Sequence, residues 1–205
     1  MYMELAILTK SSKRSGYCVA GINIKTGEWI RLTSEDKDSH GALFKKDMQY
    51  EDKSECQILD IVRVKITDKN PSKYQPENVL IDKDSYWERQ GKLSIKDVLK
   101  LHPPEDHKFI FLNERSYITK HEIDSIGYSL ILIYAEELFI VKDQNKTKVN
   151  FRYGSNQYKY MSVTDTNYYD IPNGTKIEKA ILVISLPDNP YKDRYYKFVS
   201  QIYEL

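Results

Sequence analysis

The apolar residues of this chain fall mostly in short runs with a two-residue period. In residues 28–33 (EWIRLT), Trp29 and Arg31 fall on one side and Ile30 and Leu32 on the other. In residues 56–66 (CQILDIVRVKI), Val62, Val64 and Ile66 line one face, while Ile61, Arg63 and Lys65 line the opposite one. A period of two is that of a strand with one buried face, because successive side chains point to opposite sides of a sheet. The longest apolar runs, residues 130–135 and 180–184, are far shorter than the roughly 18 residues of a membrane-spanning helix. The pattern therefore predicts a β-rich chain that does not cross a membrane.

Read from the N-terminus, the strands begin as a meander. Residues 3–9 (MELAILT) are a run of β-formers, and residues 10–16 (KSSKRSG) read as a polar, basic loop. Residues 17–24 (YCVAGINI) form a second strand in which Gly21 marks a candidate bulge, and Lys25-Thr26-Gly27 is a hairpin loop leading into 28–33. Residues 34–55 are dense in charge and read as a long surface loop. Residues 94–101 (SIKDVLKL) read as a helix capped by Ser94, with Ile95, Val98, Leu99 and Leu101 on one face and Pro103-Pro104 stopping it. Residues 107–112 (HKFIFL) are expected as a strand. Thr119 and Glu122 have capping-box spacing, which predicts a short helix to Ser125. Strands follow at 129–135 and 138–142, a hairpin at 147–153 and 157–164 and a buried strand at 177–186; residues 195–205 read as strand or helix, with strand favoured by their aromatic and β-branched residues.

Each half thus holds about five strands with hairpin spacing, and five strands with one capping helix make the small Greek-key barrel known as the OB-fold. A length of 205 residues accommodates two such barrels. The expected fold class is all-β, with OB-like barrels at 1–115 and 116–205. One larger barrel with insertions is the alternative. With two barrels, Ile7, Val19, Ile30 and Val62 share one core, and Leu132, Ile140, Val163 and Leu182 share the other.

Composition narrows the function by exclusion. Lys+Arg is 31 and Asp+Glu is 30, so the net charge is +1, which excludes a polybasic binder of duplex DNA and an acidic tail protein. Two Cys cannot make a disulfide scaffold; Cys18 and Cys56 read as reduced, buried thiols of a cytoplasmic protein. No Cys-x-x-Cys, no Gly-x-Ser-x-Gly and no Walker-type loop occurs, and the four His show no helical ligand pair. His102 and His107 with Asp106 are more simply a solvated turn than a metal site. No catalytic residue, metal or cofactor is expected, and the N-terminus lacks the pattern of a signal peptide. What stands out is 17 Tyr, twelve of them after Arg115.

The opening LAILTKSSKRSGYCVAGINIKTGEWIRLTS, residues 5–34, resembles the start of the prokaryotic dual OB-containing domain family. The matching residues are Lys10 to Arg14, Gly16 to Gly21, and Trp29 to Arg31. The later FRYGSNQYKYMSVTD, residues 151–165, resembles that family's second-barrel hairpin, although Phe151, Tyr153 and Gly154 bring the Gly one position early. Residues 182–205 resemble its last segment, except that Pro187-Asp188-Asn189-Pro190 stands where the family has a Gly-Glu-Pro-like turn. The resemblance implies a nucleic-acid-binding or nucleic-acid-sensing module, often linked to prokaryotic defence, and brings no catalytic residues.

Three groups of residues are candidates for contact with nucleic acid, single strands in particular. Lys10, Ser11, Lys13 and Arg14 lie in the first inter-strand loop, which in an OB barrel adjoins the ligand face. Trp29 and Arg31 alternate onto one side of a strand, where a ring could stack a base and a guanidinium hold a phosphate. Arg152, Tyr153, Tyr158 and Tyr160 lie on the later hairpin, with Tyr158 and Tyr160 expected to share a face. Ordinary readings stand beside these: a solvated loop, a core Trp, and Tyr used for packing. A sensor of a small nucleotide or modified base, and a module whose Tyr-rich surface binds a protein partner, are the competing functions.

Overall fold

The computed structural model describes residues 1–36 and 39–205. They divide into two compact units, one of residues 1–72 and 77–103, the other of residues 73–76 and 104–205. Among the described residues no helix is long and apolar enough to cross a membrane.

The first unit contains β1 (Tyr2–Lys13), β2 (Gly16–Asn23), β3 (Trp29–Thr33), β4 (Asp60–Lys69), β5 (Asn78–Ile81), β6 (Glu88–Lys92) and α1 (Ile95–Leu101). Its strands pair in the order β1-β2-β3-β5-β4, and β4 pairs back onto β1, so the sheet closes; β6 extends it beside β4. Of these strand pairs, β3 with β5 is the parallel one. The core contains Leu5, Ile7, Val19, Leu32, Val62, Val64 and Trp87, with Ile30 packed against it. The expected residues Ile7, Val19 and Val62 are therefore in one core with Ile30 at its margin.

The second unit contains β7 (Tyr117–Thr119), β8 (Leu130–Asp143), β9 (Lys146–Tyr153), β10 (Asn156–Val163), β11 (Lys176–Ser185), β12 (Arg194–Tyr196) and β13 (Phe198–Glu204). β8, β9, β10, β13 and β11 form a closed barrel in that order, and β12 pairs with β7 apart from it. Again one pairing is parallel, that of β10 with β13. Numbered within each barrel, both rings run first-second-third-fifth-fourth, the five-stranded Greek key of the OB-fold. Ile140, Val163 and Leu182 lie in the second core. Leu132 is buried outside that cluster. The alternation of β8 sends Ile131 and Ile133 inward, and Leu132 meets residue 105 instead: its N–H donates to Glu105 Oε2 at 2.6 Å, and Glu105 N–H to its carbonyl at 2.8 Å.

Several expected elements differ. The basic stretch 10–16 is not a loop, because β1 continues through Ser11, Ser12 and Lys13 opposite Cys18, Tyr17 and Gly16. Backbone pairing supplies that stability and leaves no apolar signature. In 34–55, Ala42, Leu43, Met48 and Tyr50 are buried, and Leu43 exchanges both backbone hydrogen bonds with Tyr17; residues 37 and 38 of that stretch lie outside the described residues. Residues 107–112 form no strand. The Thr119 box starts no α-helix: Glu122 accepts from Thr119 N–H at 2.9 Å and Oγ1 at 2.7 Å, and only a three-residue 3-10 turn follows, Ile123–Ser125. The strands expected at 129–135 and 138–142 are one strand, β8, with a register shift beyond Glu136. Of the two thiols, Cys56 is buried and Cys18 half-buried.

One close approach in the first barrel admits only glycine. β1 shifts register between Ile7 and Thr9, opposite Gly21 and Ala20 of β2. A Cβ on Gly21 would lie 2.1 Å from the Ala6 carbonyl oxygen, a backbone atom that cannot step aside. Gly21→Ala is expected to destabilise the protein by about 3 kcal/mol, read as a fall in the urea midpoint at unchanged m.

Candidate nucleic-acid interface

In the first barrel most of the candidate residues are engaged by the protein itself. Lys10 Nζ donates to Glu55 Oε2 and to the Cys56 carbonyl, each at 3.1 Å. Ser11 is buried, and Lys13 Nζ donates to the His40 carbonyl at 2.8 Å. Arg14 is exposed in the turn between β1 and β2, at a φ of 53°. Trp29 packs edge-on against His102, 5.4 Å between centroids. Arg31 is 3% exposed; it donates to Cys18 Sγ at 2.8 Å and pairs with Glu77 at 3.3 Å. Ala20, Ile22 and Thr33, which share the outer face of β2 and β3 with Arg31, are buried as well. The second and third strands of an OB barrel carry its usual ligand face, and in this barrel the arginine on that face is buried and paired, with Trp29 and Cys18 half-buried beside it.

The hairpin β9–β10 is open on its outer side, but Tyr158 and Tyr160 do not share a face. The pairing shifts register between Tyr158 and Met161, and Tyr160 takes a φ of 54° while its N–H donates to Asn150 Oδ1 at 2.7 Å. The extra residue reverses the alternation, so Tyr158 is fully buried while Tyr160 is 59% exposed. Arg152 pairs with Glu136 at 2.5 Å and with Glu137 at 3.6 Å, which neutralises it.

Tyr153 and Tyr158 instead hold down an irregular stretch of chain. Tyr158 Oη accepts from Ile110 N–H at 2.8 Å and donates to the Asn113 carbonyl at 3.0 Å. Tyr153 Oη accepts from His107 N–H at 2.8 Å and donates to the Glu105 carbonyl at 3.0 Å. Burial pushes the Tyr158 phenol up to about 12, so it remains a donor at any ordinary pH. These bonds satisfy backbone groups that no ladder pairs, and they explain why residues 104–115 belong to the second unit rather than to a first domain ending at Arg115. Lys197, 1% exposed, completes the arrangement by donating to Asn113 O at 2.7 Å and Oδ1 at 3.0 Å.

What the outer face does assemble comes from four segments. β9 alternates Val149, Phe151 and Tyr153 inward, which turns Lys146 and Lys148 outward. Lys148 lies opposite Ser162 of β10, and Ser162 lies opposite Phe198 of β13, so one line of side chains crosses three strands. Lys148 Nζ donates to Ser162 Oγ at 2.7 Å. Burial, then repulsion from Lys146, holds the Lys148 ammonium below its ordinary pKa, with Asp143 acting the other way. Neither Lys146 nor Lys148 has a carboxylate in ion-pair range among the described residues. Lys142 Nζ ties the rim together through Thr147 Oγ1 at 2.9 Å, the Tyr168 carbonyl at 3.2 Å and the Tyr169 carbonyl at 2.6 Å. The result is a cleft of about 550 Å³ lined by Lys142, Lys146, Ser162, Tyr169 and Phe198 among others. The outward placement of Lys146 and Lys148 is legible from the period of β9. The approach of Tyr169 and Phe198 is not, because both arrive through long-range pairing.

Two measurements test these roles. Tyr158→Phe deletes one hydroxyl and leaves the Ile110 N–H and Asn113 carbonyl without it. The expected cost is about 1–3 kcal/mol of stability, read by urea denaturation, with ligand binding of the folded protein unchanged. Burial, reinforced by Arg115 and opposed by Glu122, pushes the Lys197 pKa from 10.5 down to about 7. Between those values the unfolded chain carries the additional proton, so this site's contribution to stability rises with pH across that window and is smallest below pH 7. Lys197→Met should flatten that part of the stability–pH curve.

No curated protein matches the chain in sequence. Among solved structures it is similar to tetrameric p202 HIN2, at 10% identity and a TM-score of 0.39, covering 100% of this chain and 93% of that one. It is also similar to a murine DNA-binding protein bound with double-stranded DNA, at 6% identity and a TM-score of 0.38, covering 100% of each chain. A third is the Ifi202 HINa domain in complex with 20-base-pair double-stranded DNA, at 8% identity and a TM-score of 0.39, covering 100% of this chain and 97% of that one. The model of the dual OB-containing domain matches residues 3–202, spanning both closed barrels. The chain belongs to the dual OB-containing domain family.

Proposed function

We propose that the chain is a binding module for nucleic acid, with the outer face of β9, β10 and β13 as its contact surface and a single strand as its preferred ligand. The observation that carries this reading is the pair of lysines, Lys146 and Lys148, without carboxylate partners, beside Tyr169 and Phe198 on the face that OB barrels use. Lysines supply phosphate contacts, and aromatic rings stack bases only where these are unstacked from a partner strand. A net charge of +1 suits modest, salt-sensitive affinity rather than wrapping of duplex DNA. In this reading the module binds without performing chemistry, in the cytoplasm. The prokaryotic defence setting implied by the family resemblance would have it report nucleic acid to a protein partner.

The test is fluorescence anisotropy of a labelled single-stranded oligonucleotide over a range of salt. Lys146→Ala with Lys148→Ala should weaken binding and flatten the plot of log affinity against log salt by about 0.7 for each phosphate no longer neutralised. Tyr169→Ala should cost about 1–3 kcal/mol of binding. A folded double variant with unchanged affinity and slope would remove this face from consideration. Preference for duplex over single strand would overturn the strand assignment alone.

A further inference from the structure

A second cationic site lies elsewhere in the second unit, and its character differs from that of the barrel face. β7 and β12 with their flanking turns, together with Lys73 and Tyr74, line a cleft of about 760 Å³. That volume is of the order of known ligand sites, ~300–1,000 Å³. Lys73, Lys120, Lys192 and Arg194 converge on it, against the carboxylates of Asp124 and Asp193. Asp124 is already satisfied: Lys73 Nζ lies 2.6 Å away, and Tyr74 Oη donates to it at 3.1 Å. Lys120, Lys192 and Arg194 have no carboxylate in ion-pair range among the described residues, and all three are exposed. Three cations therefore face one uncommitted acid, Asp193.

The cations are positioned rather than merely nearby. The Arg194 guanidinium lies over the Tyr117 ring, 4.4 Å from its centroid, and Arg115 approaches the same ring at 5.2 Å. Lys73 Nζ stands 5.0 Å from the centroid of Tyr74. Lys192 sits at the tip of a two-residue turn closed by Tyr191 N–H to the Arg194 carbonyl at 2.9 Å and the reverse bond at 3.1 Å. Both central residues of that turn, Lys192 and Asp193, have positive φ, 50° and 60°. Turns of this type favour Asn-Gly there, and a long cationic side chain in the left-handed region is disfavoured by the backbone. The turn thus presents Lys192 beside Arg194 at a conformational cost.

These features select a ligand by charge and not by base. Tyr117 and Tyr74 are already engaged by cations and do not offer bare faces for stacking. Three positive groups without a carboxylate partner call for two or more negative charges, and a planar guanidinium held on a ring presents its fork to phosphate oxygens. We propose that this cleft binds a phosphate group of high charge, such as a pyrophosphate moiety or a terminal phosphate ester. This site is independent of the reading given to the barrel face. The same chemistry is carried by a free nucleoside di- or triphosphate and by the 5′-phosphorylated end of a strand.

Calorimetric titration of the full chain with inorganic pyrophosphate at low salt tests the proposal without any oligonucleotide. Saturable binding is expected, weakened about tenfold by Arg194→Gln and further by Lys192→Gln, with the melting temperature unchanged because these groups are exposed. Lys120→Gln serves as a second variant if Arg194→Gln perturbs β12. Comparing 5′-phosphorylated with 5′-hydroxyl oligonucleotides then separates the sources. A preference for the phosphorylated strand that Arg194→Gln abolishes assigns the site to strand ends; equal binding of both, with pyrophosphate still bound, assigns it to a free nucleotide. Absence of saturable pyrophosphate binding, or affinity unchanged in the folded Lys192→Gln, Arg194→Gln double variant, would overturn the proposal.

Discussion

A five-stranded sheet with one apolar face has two unpaired edges, and everything else in this protein depends on their removal. In the first barrel β1 is long enough to pair with β2 along one side and with β4 along the other, from Tyr2 opposite Lys65 to Ala6 opposite Ile61. In the second, β8 does the same between β9 and β11. Closure satisfies backbone groups that would otherwise sit exposed on an edge, and it turns the apolar face of each sheet inward to make a core. It also requires strong curvature, supplied by the register shifts at Ile7/Thr9 and Glu136/Phe139. Gly21, pressed against the Ala6 carbonyl, marks where that curvature leaves no room for a side chain.

Closure by itself leaves the chain between barrels with unpaired backbone, and tyrosine is the residue that pairs it. Tyr153 and Tyr158 each offer a hydroxyl that both donates and accepts, so one side chain satisfies an N–H and a carbonyl of residues 105–113 at once. Tyr168 reaches Glu204 at 2.8 Å in the same barrel, and Tyr74 packs edge-on to Tyr195 at 5.2 Å. The abundance of tyrosine in the second part of the chain is thus in large measure structural. An amphipathic ring with a polar tip can sit in a core and still bond to backbone at its edge.

The two barrels share a topology but treat the same face differently. On β2 and β3 an arginine is spent on an internal pair with Glu77, among buried neighbours, so the face has no charge to offer. On β9 and β10 the equivalent strands keep Lys146 and Lys148 without acidic partners, and β13 brings Phe198 alongside. The common fold determines where a face can be, and the side chains on it decide whether it is available.

Strand content, the two-barrel class and most of the two cores are legible in the amino-acid pattern, because a two-residue period is a local property of a half-buried strand. The hairpin turns at Gly27 and Gly154 and the cap at Ser94 were legible for the same reason. The candidate site, by contrast, emerges from contacts between segments far apart in the chain. Arg31 reads as an exposed partner of Trp29 until Glu77, distant in sequence, is folded against it. Tyr158 and Tyr160 read as one face until a single additional residue in β10 reverses the alternation between them. Residues 107–112 read as a strand until tyrosine hydroxyls, rather than a neighbouring ladder, take their hydrogen bonds. Local pattern specifies which way a side chain points along a regular strand. It carries no record of bulges or of the distant partners that consume a charge, and these settle which side chains remain free to bind.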